Sequence, residues 1–320
     1  MCKLKSAIIL KDRVFMPDYD SHDEMLKELG IKDTRKNAER LFVRAELSPK
    51  TGGIDGAFTD VDSWVFKVDQ DVVPKWYVRE VDEQRMREAV KEWAKTHILV
   101  GVNRLNISSG EGYYIKDCTK VVIGGSAAVK TIGGSATVDY IGYWARVNNI
   151  CGSATVERIY DSATVESICD SAKVGKICGF ATVDYIGGSA TVDCIGYWAR
   201  VDNICGSATV KNICESSTVE SICDSAKVGR ICGFATVGKI VGSATVDYIG
   251  DSAIVKNIFD FATVNYICDS SIVACYQKID CIIKNRALLI CREEHKIYVS
   301  ETGDWILTKK RIESVPERKI

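Results

Sequence analysis

A nine-residue period runs through the middle of the chain and leaves few folds open to it. Isoleucine stands at 123, 132, 141 and every ninth position to 267, seventeen times in all. Valine follows each of them six residues later, from Val129 to Val273, without exception. Alanine follows four residues later, replaced only by Ser217 and Ser271. The consensus is I-x-[GD]-S-A-T-V-x-x. A helix stripe needs apolar residues three and four apart, which this pattern lacks. Short strands fit it. Alanine and valine, two apart, share the inward face, while serine, threonine and the residue after valine point outward. Glycine or aspartate two residues after isoleucine suits a turn. Alanine keeps the core thin.

One repeat cannot stand alone. Burying its valine and isoleucine yields roughly 3–6 kcal/mol, and ordering each of its backbone residues costs about 1–2 kcal/mol. Stacked neighbours supply the rest through ladder hydrogen bonds and a shared core. The expected fold is therefore mainly β: a parallel β-solenoid over residues 121–275, with about 18 residues per coil because two half-turns make one. At ~4.8 Å per coil this array would be roughly 40 Å long. A three-sided coil of 27 residues is the alternative. Calcium β-rolls share the nine-residue period, but their turns carry GGxGxD. The turns here read C-G-S, G-G-S or C-D-S, so no structural calcium is expected.

A block duplication overlies the short period. IGYWARVNNICGSATV begins at Ile141 and IGYWARVDNICGSATV at Ile195, an offset of six repeats. Such arrays tolerate length change.

The flanks lack the period. Residues 1–120 read as a small α+β domain, with strands expected at 5–10, 13–16, 41–47 and 63–68. Ser21-His22-Asp23-Glu24 is a capping box opening a helix that Gly30 ends. A second helix is expected over 82–97, with Met86, Val90, Trp93 and Ala94 as its apolar stripe. Lys50-Thr51-Gly52-Gly53 is turn chemistry. Residues 276–320 read as a C-terminal β cap and tail: 287–291 and 296–299 flank a hairpin turn, 305–307 adds a strand, and 309–320 is polar and expected to fray. The two flanks are expected to cover the solenoid's ends, where unpaired strand edges invite association.

The segments ILKDRVFMPDYDSHDEMLKELGI, NAERLFVRAEL, VDQDVVPKWYV and KEWAKTHI, with ETGDWIL near the C-terminus, resemble uncharacterised repeat proteins of anaerobic gut bacteria and their phages or prophages. The resemblance covers both flanks and the plan of a domain followed by short tandem repeats. It implies a soluble protein associated with mobile elements. It implies no activity, cofactor or catalytic residue.

Composition narrows the function classes. The net charge is −1, against the basic balance of a free-standing nucleic-acid binder, so no nucleic-acid partner is expected. No segment approaches ~18 apolar residues, and the start lacks a signal-peptide core, so a cytoplasmic protein is expected. Fourteen cysteines without a CxxC pair, beside only three histidines, argue against zinc and, in the cytosol, for thiols. Pairs 18 apart (Cys151/Cys169, Cys205/Cys223 and Cys214/Cys232) would nevertheless stack within disulfide range. There is no nucleophile elbow, P-loop or Rossmann fingerprint. No catalytic, metal or cofactor residue is assigned.

The candidate sites lie on the array. Tyr143, Trp144, Arg146, Phe180, Tyr197, Trp198, Arg200 and Phe234 fall on odd-numbered repeats, hence on one side of an 18-residue coil, and aromatic–arginine rows suit protein interfaces. Phe261 breaks the pattern. Glu166, Asp184, Asp202 and Glu220 would form an acidic row, each like pair costing on the order of 1 kcal/mol in water; a basic partner surface would relieve it, and a solvated face with splayed side chains is the plainer account. Asp18, Asp20, His22 and Asp23 are the densest ligand-type cluster and also read as a turn feeding the capped helix. Threonine rows resemble ice-binding lattices, but Arg146, Lys173, Arg200 and Lys227 interrupt them. The expected function is non-enzymatic protein binding or scaffolding by one solenoid face, in a phage setting acting on a host factor. The alternative is a ligand-binding or enzymatic N-terminal domain with the solenoid as spacer. A self-assembling rod and an ice binder are lesser alternatives.

Overall fold

The computed structural model describes residues 5–50, 54–277, 279–300, 305–307 and 312–314. Of the sequence expectations, the turn at 51–53 and most of the tail at 309–320 lie outside the described residues. The chain divides into two compact units. The first runs to Val100 and includes Gly110–Lys116 and Ala128–Thr131; the second holds the remainder.

In the first unit, strands β1 (Lys5–Leu10), β2 (Val14–Phe15), β3 (Phe42–Ser48) and β4 (Val65–Val68) form an antiparallel sheet in the order β2-β1-β3-β4. Helix α1 (His22–Glu28) covers one face and helix α2 (Arg79–His97) the other. Ala7, Ile9, Val43 and Ala45 pack with Met86, Val90 and Trp93 of α2. Ile8 and Phe42 pack with Met25 and Leu26 of α1. Burial on both faces explains why β1 is a continuous apolar run rather than an alternating one. Ser21 caps α1, its Oγ accepting from the Glu24 N–H at 3.3 Å.

The second unit carries the solenoid. The fold is mainly β, a parallel β-solenoid of about 11 turns with ~18 residues per coil. Strands of five residues alternate between two sheets: Thr137–Ile141 pairs in register with Thr155–Ile159, and Arg146–Ile150 with Thr164–Ile168. The alanine, valine and isoleucine of the repeat form the core, nearly all of it fully buried. The three-sided coil is excluded, since register partners lie 18 apart.

The turns show what the [GD] position does. Its residue adopts positive φ in every repeat, from Gly125 (56°) to Asp269 (58°). Where glycine stands there, the turn of the preceding coil is very close: a Cβ on Gly188 would lie 2.7 Å from the Asp170 nitrogen. Where aspartate stands there, its carboxylate accepts the N–H of the turn one coil back. Asp170 accepts from Gly152 at 3.0 Å, Asp224 from Gly206 at 2.9 Å and Asp251 from Gly233 at 2.9 Å. The aspartates thus satisfy turn donors that would otherwise need water.

The parallel ladder is longer than the nonapeptide array. Asn103–Ile107 pairs with Thr119–Ile123, and Leu288–Cys291 continues Ile272–Cys275. The expected boundaries at 120 and 276 therefore fall inside the ladder. These terminal coils are shorter: Ile107 pairs with Ile123, Ile267 with Ile283 and Val273 with Leu289, each 16 residues apart. The end of the second unit is antiparallel. Lys296–Val299 folds back on Leu288–Cys291, and Trp305–Leu307 pairs with Cys281–Ile283 and with Ile312–Ser314. Reversing direction lets short hairpins occupy the open edges of a parallel ladder.

Candidate functional site

Each coil of one sheet presents a corner, two outward strand positions and then a second corner. The six-repeat offset of the duplication equals three whole coils. Its copies therefore lie on the same side, and the structure brings the candidate residues together. Trp144, Phe180, Trp198 and Phe234 all stand at the same corner, with 70, 68, 61 and 71 % of their surfaces exposed. Tyr143 and Tyr197 precede the tryptophans at positive φ (57° and 43°) and are also exposed. Phe180 and Trp198, one coil apart, stack with ring centroids 5.8 Å apart and planes 13° from parallel. Phe261, 79 % exposed, falls on the opposite side.

The same strands carry Arg146, Arg200 and the acidic row. Val165, Val183, Val201 and Val219 are register partners, so Glu166, Asp184, Asp202 and Glu220 follow one another coil by coil. Arg200 relieves one end of that row, lying 3.0 Å from Asp202 and 3.2 Å from Glu220. Glu166 and Asp184 make no ion pair among the described residues. Partial burial, and then the charges of Asp202 and Glu166, hold the Asp184 carboxyl above the usual range. Lys173 and Lys227 are not on this face; they stand in the other sheet, opposite Thr155 and Thr209. The interruptions of threonine thus belong to two columns rather than one.

The ligand-type cluster of the first unit is dispersed into structural pairs. Asp20 accepts from the buried Lys5 ammonium at 3.3 Å, and the Pro17 carbonyl accepts from it at 2.6 Å. Burial lowers the Lys5 pKa, opposed by Asp20. Asp18 lies 3.0 Å from His97, whose ring stacks on Trp93. His22 faces the Ala45 carbonyl at 3.2 Å and Asp69 at 3.7 Å. An open cleft beside α1 is lined by Asp20, His22, Asp33, Arg44, Asp69 and Lys130. His22, Glu46 and Asp69 bring their ligand atoms within 4.8 Å of one another. This trio unites residues far apart in sequence, and no spacing rule would have found it.

Among the cysteines, Cys205 and Cys223 are disulfide-bonded, with Cα atoms 4.8 Å apart, which corrects the all-thiol expectation for that pair. Cys151, Cys169, Cys214 and Cys232 are thiols. No helix among the described residues is long and apolar enough to cross a membrane. Comparison with protein-family models, with curated proteins and with solved structures finds no match.

Proposed function

We propose that the chain is a non-enzymatic binding or scaffold protein that docks another protein on the aromatic corner and the adjoining acidic strand face. The carrying observation is four large aromatic side chains, each 61–71 % exposed, on a single corner of the coils. Large exposed apolar groups in one place mark interaction surfaces, and tryptophan and arginine lead among residues that anchor interfaces. Spacing gives the partner its form. Phe180 and Trp198 are one coil apart, while Trp144 and Phe234 lie two coils beyond them, about 10 Å away on either side at ~4.8 Å per coil. Charge gives its chemistry: Glu166 and Asp184 favour Lys or Arg beside the apolar pockets that receive the rings. With the resemblance of the flanks, we place that partner among host proteins met by a phage or prophage product.

The test is affinity capture from a lysate of an anaerobic gut bacterium, comparing the wild type with Trp144→Ala/Trp198→Ala and with Glu166→Lys/Asp184→Lys. Both variants keep the buried positions, and circular dichroism should show unchanged strand content. Loss of a specific protein in both variants, with at least a tenfold weaker Kd for the purified partner, is expected. Undiminished capture by both variants would refute the docking face.

A further inference from the structure

The two copies of the duplicated block differ at a pair of positions that touch. In the first copy Tyr140 folds over Gly142, a Cβ on which would sit 2.1 Å from the tyrosine ring. The Tyr140 hydroxyl reaches Asp161 on the next coil at 2.5 Å. Tyr-Ile-Gly recurs at 185–187 and 248–250 with the same arrangement, and Tyr248 donates to Asp269 at 2.6 Å. In the second copy the sequence is Cys194-Ile195-Gly196. Cys194 replaces Tyr140, Cys214 replaces Tyr160, and Glu215 replaces Asp161.

The exchange places two sulfurs together. The Sγ atoms of Cys194 and Cys214 are 3.4 Å apart, and both residues are partly exposed. Gly196 makes the room: a Cβ there would stand 3.4 Å from the Cys214 sulfur and 3.6 Å from that of Cys194. The corners at Ile177, Ile195, Ile213 and Ile231 are successive register partners, so Cys178 and Cys232 flank the pair one coil away on either side. No 18-residue spacing reveals the pair, because its members are 20 apart.

We propose that Cys194 and Cys214 are an oxidisable dithiol, a thiol–disulfide exchange site for small disulfides at the base of the turn that carries Trp198. Tyrosine became cysteine at both contacting positions, which is the observation that singles out this pair among fourteen cysteines. In the exchange, the Cys194 thiolate attacks one sulfur of a small disulfide RSSR. A Cys194–S–S–R bond forms, and RS⁻ leaves to be protonated by solvent. Cys214 then loses its proton and attacks the Cys194 sulfur, releasing the second RS⁻, which takes up a proton. Two protein thiols are oxidised, RSSR is reduced to two RSH, and two electrons pass between them. Burial, and then donation to Cys194, hold the Cys214 thiol at about 12, so it keeps its proton until the second step.

The test uses the full chain carrying Cys205→Ser/Cys223→Ser, which leaves one disulfide question to be read. The protein is reduced, freed of reductant and incubated with oxidised glutathione. It is then alkylated, digested at acidic and basic residues and mapped by mass spectrometry without reduction. A Cys194–Cys214 link in most molecules is expected. Glutathione adducts without that link, a predominant Cys214–Cys232 link, or both thiols alkylated would each overturn the proposal. Cys194→Tyr/Cys214→Tyr, which restores the first copy's residues, should fold and carry neither the link nor an adduct at these positions. A Cys214–Cys232 link in Cys194→Ser is compatible only if it is absent when Cys194 is present.

Discussion

The two copies of the duplicated block have almost the same sequence and do not have the same surroundings. Ile150 and Ile204, at equivalent places, are both fully buried. Trp144 and Trp198 are not equivalent. Trp198 stacks on Phe180 of the preceding coil, whereas Ser126 occupies that place below Trp144. The turn itself differs: Tyr197 and Trp198 both have positive φ, but of Tyr143 and Trp144 only the tyrosine does. Cys205 and Cys223 are bonded, and their counterparts Cys151 and Cys169 are thiols. In a solenoid each repeat sees only its neighbours. The core of a repeat is set by its own template, while its surface is set by what the adjacent coil happens to carry.

The core half of this comparison breaks if equivalent isoleucines are unequal. Ile150→Ala and Ile204→Ala should each cost roughly 2–5 kcal/mol in urea unfolding, and the two costs should agree to within about 1 kcal/mol. The disulfide sharpens the other half. Adding reductant should destabilise the wild type by about 3 kcal/mol, the magnitude expected for closing a loop of this size. It should leave Cys205→Ser/Cys223→Ser unmoved.

Stacking is a smaller effect. Phe180→Ser should give Trp198 the setting of Trp144, red-shifting its fluorescence and costing about 0.5 kcal/mol, the low end for an aromatic pair because both rings are solvated. Ser126→Phe should confer the opposite change on Trp144. The smallest effect is electrostatic. The folded Asp184 carboxyl sits above its ordinary range, so folding favours its protonated form. That stabilising contribution is present at low pH and is lost as pH rises through the raised value. Asp184→Asn should therefore be more stable than wild type at pH 7, by about 0.5 kcal/mol or less for a screened surface charge, and the two should converge below pH ~4. A gap that widens on acidification would invert the assignment.

Much of the fold was legible because one template was written seventeen times, and each buried position repeats its chemistry. The ends were not. Ile283-Lys284-Asn285-Arg286-Ala287-Leu288-Leu289 keeps the order of core positions with leucine for valine, but coils of 16 residues break the period that exposed the rest. Cys118, Val121 and Ile123 likewise fill the core places one residue early, a slip absorbed where the register shifts between Val138 and Tyr140. The aromatic corner was legible as a column because the side of a coil follows from counting. The Cys194–Cys214 contact, the Asp170 and Asp224 turn bonds and the His22, Glu46 and Asp69 trio were not, because each joins elements whose proximity no single period encodes.

By itself the sequence determined which residues face inward, that two repeats make a coil, and that Trp144, Phe180, Trp198 and Phe234 share a side. These follow from the period-two geometry of strands and the need of apolar groups to leave water. Only the tertiary structure decided which outward groups meet: Arg200 with Asp202 and Glu220, Phe180 with Trp198, Cys205 with Cys223 and Cys194 with Cys214. Outward positions carry no burial constraint to specify them. Their contacts depend on side-chain length, rotamer and the residue one coil away, which the repeat leaves open to vary.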